Sequence, residues 1–161
     1  VYPTKTAVHL SEKGVRSQRK KRLPPGSVSV SCIATPGLVV INHQDIQTNQ
    51  QINSVIPDRT EYTPYLFWSC KQRAEKIRTG GSGGSVFSNM NKTSFSNLKI
   101  YWPGKEVIDR YYIIAQPLHE KMLILEKEKD TLRDLRNFLL PKLVSGELTI
   151  TDCEREIEGE S

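Results

Sequence analysis

The chain has 161 residues, enough for one domain with its own core and an appended element but short of two ordinary domains. Its 23 Lys/Arg against 18 Asp/Glu give a formal charge of +5, and no run approaches the roughly 18 consecutive apolar residues that a membrane-spanning helix needs. Cys32, Cys70 and Cys153, with His9, His43 and His119, stand at wide spacings without a C-x-x-C. That pattern argues against a structural zinc site and fits reduced, mostly buried thiols in a cytosolic protein.

In chain order, the opening segment "VYPTKTAVHLSEKGVRSQRKKR" has weak apolar periodicity and a cationic cluster of Lys13, Arg16, Arg19, Lys20, Lys21 and Arg22, and reads as a surface loop or short element. Pro24-Pro25-Gly26 forms a turn. The stretch "SVSVSCIA" then alternates Val28, Val30 and Cys32 against Ser27, Ser29 and Ser31, the period of a half-buried strand. Thr35 to Gly37 make a second turn, and Leu38 to Ile41 return as the partner strand of a hairpin. Ile52, Val55 and Ile56 predict a further short strand ended by Pro57.

In "YLFWSCKQRAEKIRTG", Leu66, Phe67, Cys70, Ala74 and Ile77 recur at helical spacing. The pattern predicts one amphipathic helix stopped by Gly80, its other face carrying Lys71, Arg73, Lys76 and Arg78. The Gly/Ser hexad that follows is short enough to be a tight loop. Ser94 is the expected N-cap of a short helical turn, and "LKIYWP" is the expected closing strand.

From Pro117, placed in a helical first turn, Leu118, Met122, Leu125, Leu132 and Leu139 follow one another at intervals of 4, 3, 7 and 7 residues, a heptad seam that Lys129 and Arg136 interrupt. Ile124, Leu135 and Phe138 add a second apolar stripe. Pro141 is the expected helix end and Gly146 the turn after it. About 24 helical residues extend about 36 Å at 1.5 Å per residue, too far for a small domain to cover, so the surplus calls for another helix. The final "TDCEREIEGES" reads as an acidic disordered tail, 151–161.

Charge divides along the same line. Residues 1–115 hold 16 Lys/Arg against 7 Asp/Glu, a balance of +9, and 116–161 hold 7 against 11, a balance of −4. The basic part is suited to displacing counterions from a phosphate backbone. No Ser-His-Asp arrangement, Walker loop, G-x-G-x-x-G or metal motif is present, so no catalytic or metal-binding residue is assigned. The expected DNA-binding residues are Arg16, Arg19, Lys20, Lys21, Arg22, Arg73, Lys76, Arg78, Ser82, Asn91, Lys92 and Thr93. Asn49, Gln50, Gln51, Asn89 and Asn91 are available as base-edge readers, because an amide pairs with adenine and Arg with guanine. The competing structural role for Asn49 and Gln50 is to hold a turn through side-chain-to-backbone bonds.

The stretch "LRDLRNFLLPKLVSGEL" closely resembles the end of the helical region in the specificity subunits of type I restriction-modification enzymes, with the pattern L-R-x-x-L-L-P-K-L-x-S-G-E-I/L occupied from Leu135 to Leu148. "LPPGSVSVSCIATPGLVVI" is similar to that family's L-P-x-G-x-V-L-x-S-x-x-A-x-x-G segment through Leu23, Pro24, Gly26, Val28, Ser31, Ala34 and Gly37. "TNQQINSVIP" is similar to its T-N-Q segment through Thr48, Asn49 and Gln50, and "GGSGGSVFSNMNKTSFSNLKIYWP" to the segment that closes a target recognition domain.

The resemblance implies an α+β fold: a target recognition domain over 1–115, with a small twisted, mostly antiparallel sheet and short helices, then a long helix over 116–150. It also implies that the chain reads one half of a bipartite double-stranded DNA target in the bacterial or archaeal cytoplasm. Leu118, Met122, Leu125, Leu132, Leu135 and Leu139 would pair with the helix of the other half of the subunit or of a second copy. The methyltransferase subunit would dock on it, and the restriction subunit through the complex. S-adenosylmethionine, ATP and Mg would belong to those partners, with no cofactor in this chain. One recognition domain and one helix make this a C-terminal half or a half-length subunit. The alternative reading is a helical adaptor whose basic domain binds an acidic protein.

Overall fold

The computed structural model describes residues 1–6, 8–78 and 90–149. The chain divides into two compact units, 1–123 and 124–161. The expected Gly80 helix stop, the Gly/Ser loop with Ser82 and Asn89, Cys153 and the acidic tail lie outside the described residues.

The first unit opens with helix α1 (Glu12–Ser17), capped by Ser11, whose side chain accepts the Gly14 amide. A 3-10 turn over Arg19–Lys21 leads into strand β1 (Arg22–Leu23). After the Pro24-Pro25-Gly26 turn, strand β2 (Val28–Ser31) forms a hairpin with β3 (Val39–Ile41). Next, β4 (Ile46–Gln47) returns antiparallel to β1, and β5 (Ile52–Val55) pairs with the other side of β2. The result is a three-stranded antiparallel sheet in the order β3-β2-β5 and a separate two-stranded ribbon.

Ser alternating with Val predicts a strand buried on one face, but all four residues of β2 are buried. Val28 and Val30 enter the core, while Ser29 on the other face hydrogen-bonds the Asn42 amide at 2.9 Å and meets the Ser54 hydroxyl at 3.0 Å. A central strand can bury small hydroxyls when each finds a partner. In the β2–β3 connection Ala34 (φ 64) and Gly37 (φ 90) take left-handed conformations. Only glycine fits at 37, because a Cβ there would lie 2.9 Å from the Ala74 carbonyl oxygen.

Helix α2 (Thr63–Gln72), with Pro64 in its first turn, packs on β2 and β3. The single predicted helix is in fact two: Arg73 leaves helical geometry, and α3 (Ala74–Arg78) follows. The side chain of Arg73 accounts for the break, donating from Nη1 to the Ser69 carbonyl at 3.0 Å and from Nε to the Lys99 carbonyl at 2.6 Å. Helix α4 (Lys92–Ser96) is capped by Asn91, whose Oδ1 accepts the Ser94 amide at 2.8 Å, so the expected cap at Ser94 moves three residues earlier. Between Leu98 and Pro103 no strand forms. Leu98 and Ile100 do alternate onto the core, but the carbonyls of Lys99 and Tyr101 accept from Arg73, just after α2, and from Tyr65 of α2 in place of a sheet partner. The core joins Val28, Val30, Val39, Ile41, Phe67, Cys70, Ile77, Met90 and Phe95.

Helix α5 (Lys105–Ser145) starts after Gly104 (φ 97), twelve residues before Pro117, and continues past Pro141 to Ser145. Both prolines are tolerated inside the helix because each removes one amide donor on a solvent-facing turn, where water can serve the freed carbonyl. In the first unit Ile108 and Ala115 of α5 are buried, and His119 is 5% exposed. The His119 ring is held from two sides: Trp68 Nε1 donates to Nε2 at 3.2 Å, which leaves the proton on Nδ1, 3.0 Å from the Tyr2 hydroxyl. Burial lowers the His119 pKa and, with Glu120 and Tyr112 nearby, pushes the Tyr2 hydroxyl up to about 12. In the second unit α5 ends at Gly146 (φ 76), where the Leu148 amide reaches the Lys142 carbonyl at 3.1 Å.

Two stability measurements test this packing. Phe67→Ala removes a fully buried ring at the centre of the core and is expected to cost about 3–5 kcal/mol in urea unfolding of the chain. Because the folded pKa of His119 lies below its unfolded value, the unfolded chain takes up a proton that the folded chain refuses. Thermal stability is therefore expected to be full above about pH 6.5 and to fall as pH drops below it, with His119→Phe flattening that part of the profile.

Candidate nucleic-acid interface

Of the twelve residues expected to touch DNA, the fold brings three together. Lys21 from the 3-10 turn, Arg73 after α2 and Lys92 from α4 line one groove of about 700 Å³ beside β5. Thr48, Asn49, Gln50, Asn53, Ser54 and Ser96 supply its polar groups, and Leu23, Val55, Phe95, Leu98 and Ile100 its apolar ones. Lys21 and Lys92 are exposed and make no ion pair among the described residues. Arg73 is held by its two carbonyl bonds, which fix its guanidinium in one orientation, and the residue lines both this groove and the cleft between α2 and α5.

The other cations are differently placed. Arg22 is paired with Asp45 at 2.6 Å across the β1–β4 ribbon, and its hydrogen bond holds the Asp45 carboxyl below the usual carboxylate range. Arg16 pairs with Glu12 at 3.1 Å, and Arg78 with Glu75, within their own helices. Arg19 and Lys20 are exposed on the 3-10 turn. That turn is fastened to β4 by Gln47, whose amide donates to the Val15 and Gln18 carbonyls at 3.0 and 3.3 Å. Lys76 and Thr93 are exposed and do not line the groove, and Ser82 lies outside the described residues.

The amides divide in the same way. Asn91 caps α4, and Asn49 Oδ1 accepts the Gln51 amide at 3.0 Å, so both side-chain oxygens serve the backbone. Gln50 and Asn53 line the groove with no internal hydrogen bond among the described residues. Asn53, not among the expected base readers, carries one signal along the chain: it stands inside a strand where an aliphatic residue is expected. Cys70 also borders the groove, but burial pushes its thiol up to about 11 against the pull of Arg73, so it stays protonated and poorly nucleophilic. Among the described residues no group of three or more His, Cys, Asp or Glu is placed to hold a metal ion, and no helix is long and apolar enough to cross a membrane.

A second cleft of about 530 Å³ lies between α2 and the start of α5, lined by Tyr65, Trp68, Tyr101 and Tyr111. Trp102 stacks edge-on with Tyr62 and Tyr65 nearby, at centroid distances of 5.0 and 6.1 Å. The apolar residues expected to pair with another helix are largely open to solvent: Leu118 in the first unit, and Leu125, Leu132 and Leu135 in the second, are exposed. Met122 and Leu139 are half-buried.

Over 150 residues, 92% of this chain, the sequence is 39% identical to the type I restriction enzyme HindI specificity subunit of Haemophilus influenzae. Over 69 residues, 43% of this chain, it is 30% identical to the type I restriction enzyme MjaIX specificity subunit of Methanocaldococcus jannaschii. The aligned regions cover 33% and 16% of those two relatives, so the chain spans about a third of the length of the first. Residues 2–133 match the type I restriction modification DNA specificity domain, from the first strands through the groove and into α5, and the chain belongs to that family.

Proposed function

We propose that the first unit reads one half of a bipartite double-stranded DNA target for a type I restriction-modification complex, and that the groove beside β5 is the surface that meets the DNA. The observation that carries this reading is the meeting of Lys21, Arg73 and Lys92 with the amides of Gln50 and Asn53, unpaired among the described residues, in one groove of a DNA specificity domain. Cations on the wall would take phosphates, which fix register, and amides would take base edges, which carry sequence. Arg22, Arg16 and Arg78 already have carboxylate partners and contribute less.

Catalysis falls to partner subunits in this reading. The chain supplies recognition, a methyltransferase subunit with its S-adenosylmethionine docks on it, and a restriction subunit using ATP and Mg joins through that complex. The exposed leucines of α5 pair with the corresponding helix of the other half of the subunit or of a second copy. An acidic-protein adaptor would use the same cations, but the family to which the chain belongs favours DNA.

DNA binding by the full subunit in its methyltransferase complex, followed against salt, tests the interface. Changing Lys21 and Lys92 together to alanine is expected to lower the magnitude of the log–log salt slope by about 1.8, two phosphates at about 0.9 each. An unchanged slope removes these lysines from the interface, and a wild-type complex without salt-dependent DNA affinity removes the reading. For the helix, the chain is expected to self-associate at micromolar concentration in sedimentation, and Leu125→Glu with Leu132→Glu to return it to monomer. A monomeric wild-type chain overturns the pairing of copies.

A further inference from the structure

The ladder between β2 and β5 sets Val28 opposite Val55 and Val30 opposite Asn53. Residues directly opposite one another in an antiparallel pair share a face, so these four side chains stand together on the core side of the sheet. Three of them are valines: Val28 and Val30 are fully buried, and Val55 packs against the core. The fourth is a half-buried amide, a residue type that strands disfavour, at a position where the pattern calls for an aliphatic side chain. Its amide has no hydrogen-bond partner among the described residues, although it borders Phe95 and Leu98 in the groove. Leaving a partly desolvated amide unpaired costs stability that a valine there would not cost.

The backbone carrying Asn53 is fixed. The ladder to β2 holds it directly, and the Cys32 amide extends that ladder by donating to the Gln51 carbonyl at 2.9 Å. The amide therefore sits on a rigid element in the groove that Arg73 and Lys92 also line, with neither its donor nor its acceptor bonded among the described residues. By contrast, the oxygens of Asn49 and Asn91 are committed to backbone amides.

We propose that Asn53 is a specificity-determining residue that reads an adenine in the half-site recognised by this domain. A carboxamide offers one donor and one acceptor side by side. In the major groove adenine presents the matching pair, an acceptor at N7 and a donor at N6. Guanine presents two acceptors there and would leave the amide oxygen without a partner. Cytosine and thymine each offer one polar group and can satisfy only half of the amide. The cations of the same groove hold the phosphates that bring the base into register.

This inference rests on the DNA-reading function proposed above, and one experiment separates the two. The full-length subunit is co-expressed with its methyltransferase, and methylated positions are mapped across host DNA for wild type and for Asn53→Val. The variant restores the aliphatic pattern and is expected to assemble with undiminished thermal stability. Its methylated motif should lose the requirement for adenine at one position, with discrimination there falling about tenfold or more while the other positions persist. An unchanged motif in Asn53→Val overturns the assignment and leaves the DNA-reading function standing. A variant that fails to assemble or assembles without methylating also overturns it, since the amide then serves the fold or the complex as a whole. A wild-type complex that marks no split motif sinks the DNA-reading function itself.

Discussion

The structure of the first unit depends on strand β2 being buried on both faces. Val28 and Val30 anchor the core on one side, and Ser29 closes a small polar network with Asn42 and Ser54 on the other. With β3 on one edge and β5 on the other, the register of both neighbours is set by a strand that has no freedom to slip, because a one-residue shift would drive serines into the core and valines into the hydroxyl network. The register of β5 in turn decides which of its side chains stand opposite the valines of β2 and which opposite its serines.

Arg73 links that sheet to the groove. Its two bonds to the Ser69 and Lys99 carbonyls break the α2–α3 path and dock the extended 98–103 segment, which therefore needs no strand partner. The same residue lines the groove with its guanidinium held in one orientation. Lys21 and Lys92 act differently, as flexible point charges on a turn and on a short helix. A charge balance that looks diffuse along the chain becomes sorted in space. Arg16, Arg22 and Arg78 are matched with carboxylates near them, while Lys21 and Lys92 line the groove without an ion pair among the described residues.

Helix α5 poses the opposite problem. Its first turns belong to the packed unit through Ile108, Ala115 and His119, yet Ile113, Ile114 and Leu118 are exposed within that unit, and Leu125, Leu132, Leu135 and Phe138 are exposed in the second. Among the described residues these side chains form an apolar stripe at heptad spacing that stays open to solvent.

The sequence by itself determined the elements whose signal is local. The β2–β3 hairpin follows from Val/Ser alternation around Thr35-Pro36-Gly37, the heptad leucines follow from their spacing, and the family follows from motifs spread over most of the chain. Tertiary structure decided what depends on distant partners. Periodicity in "LKIYWP" was correctly apolar, but α2 supplied the hydrogen bonds that a sheet would have given, so no strand formed. Pro117 and Pro141 looked like helix boundaries because a missing donor is local, yet the helix runs through both, since solvent-facing carbonyls tolerate the loss. Which of twelve candidate contacts share a groove could not be read along the chain, because Lys21, Arg73 and Lys92 come from three separate elements. Only pairing across β2 shows that Asn53 shares a face with three valines, because a strand's facing is defined by its neighbour.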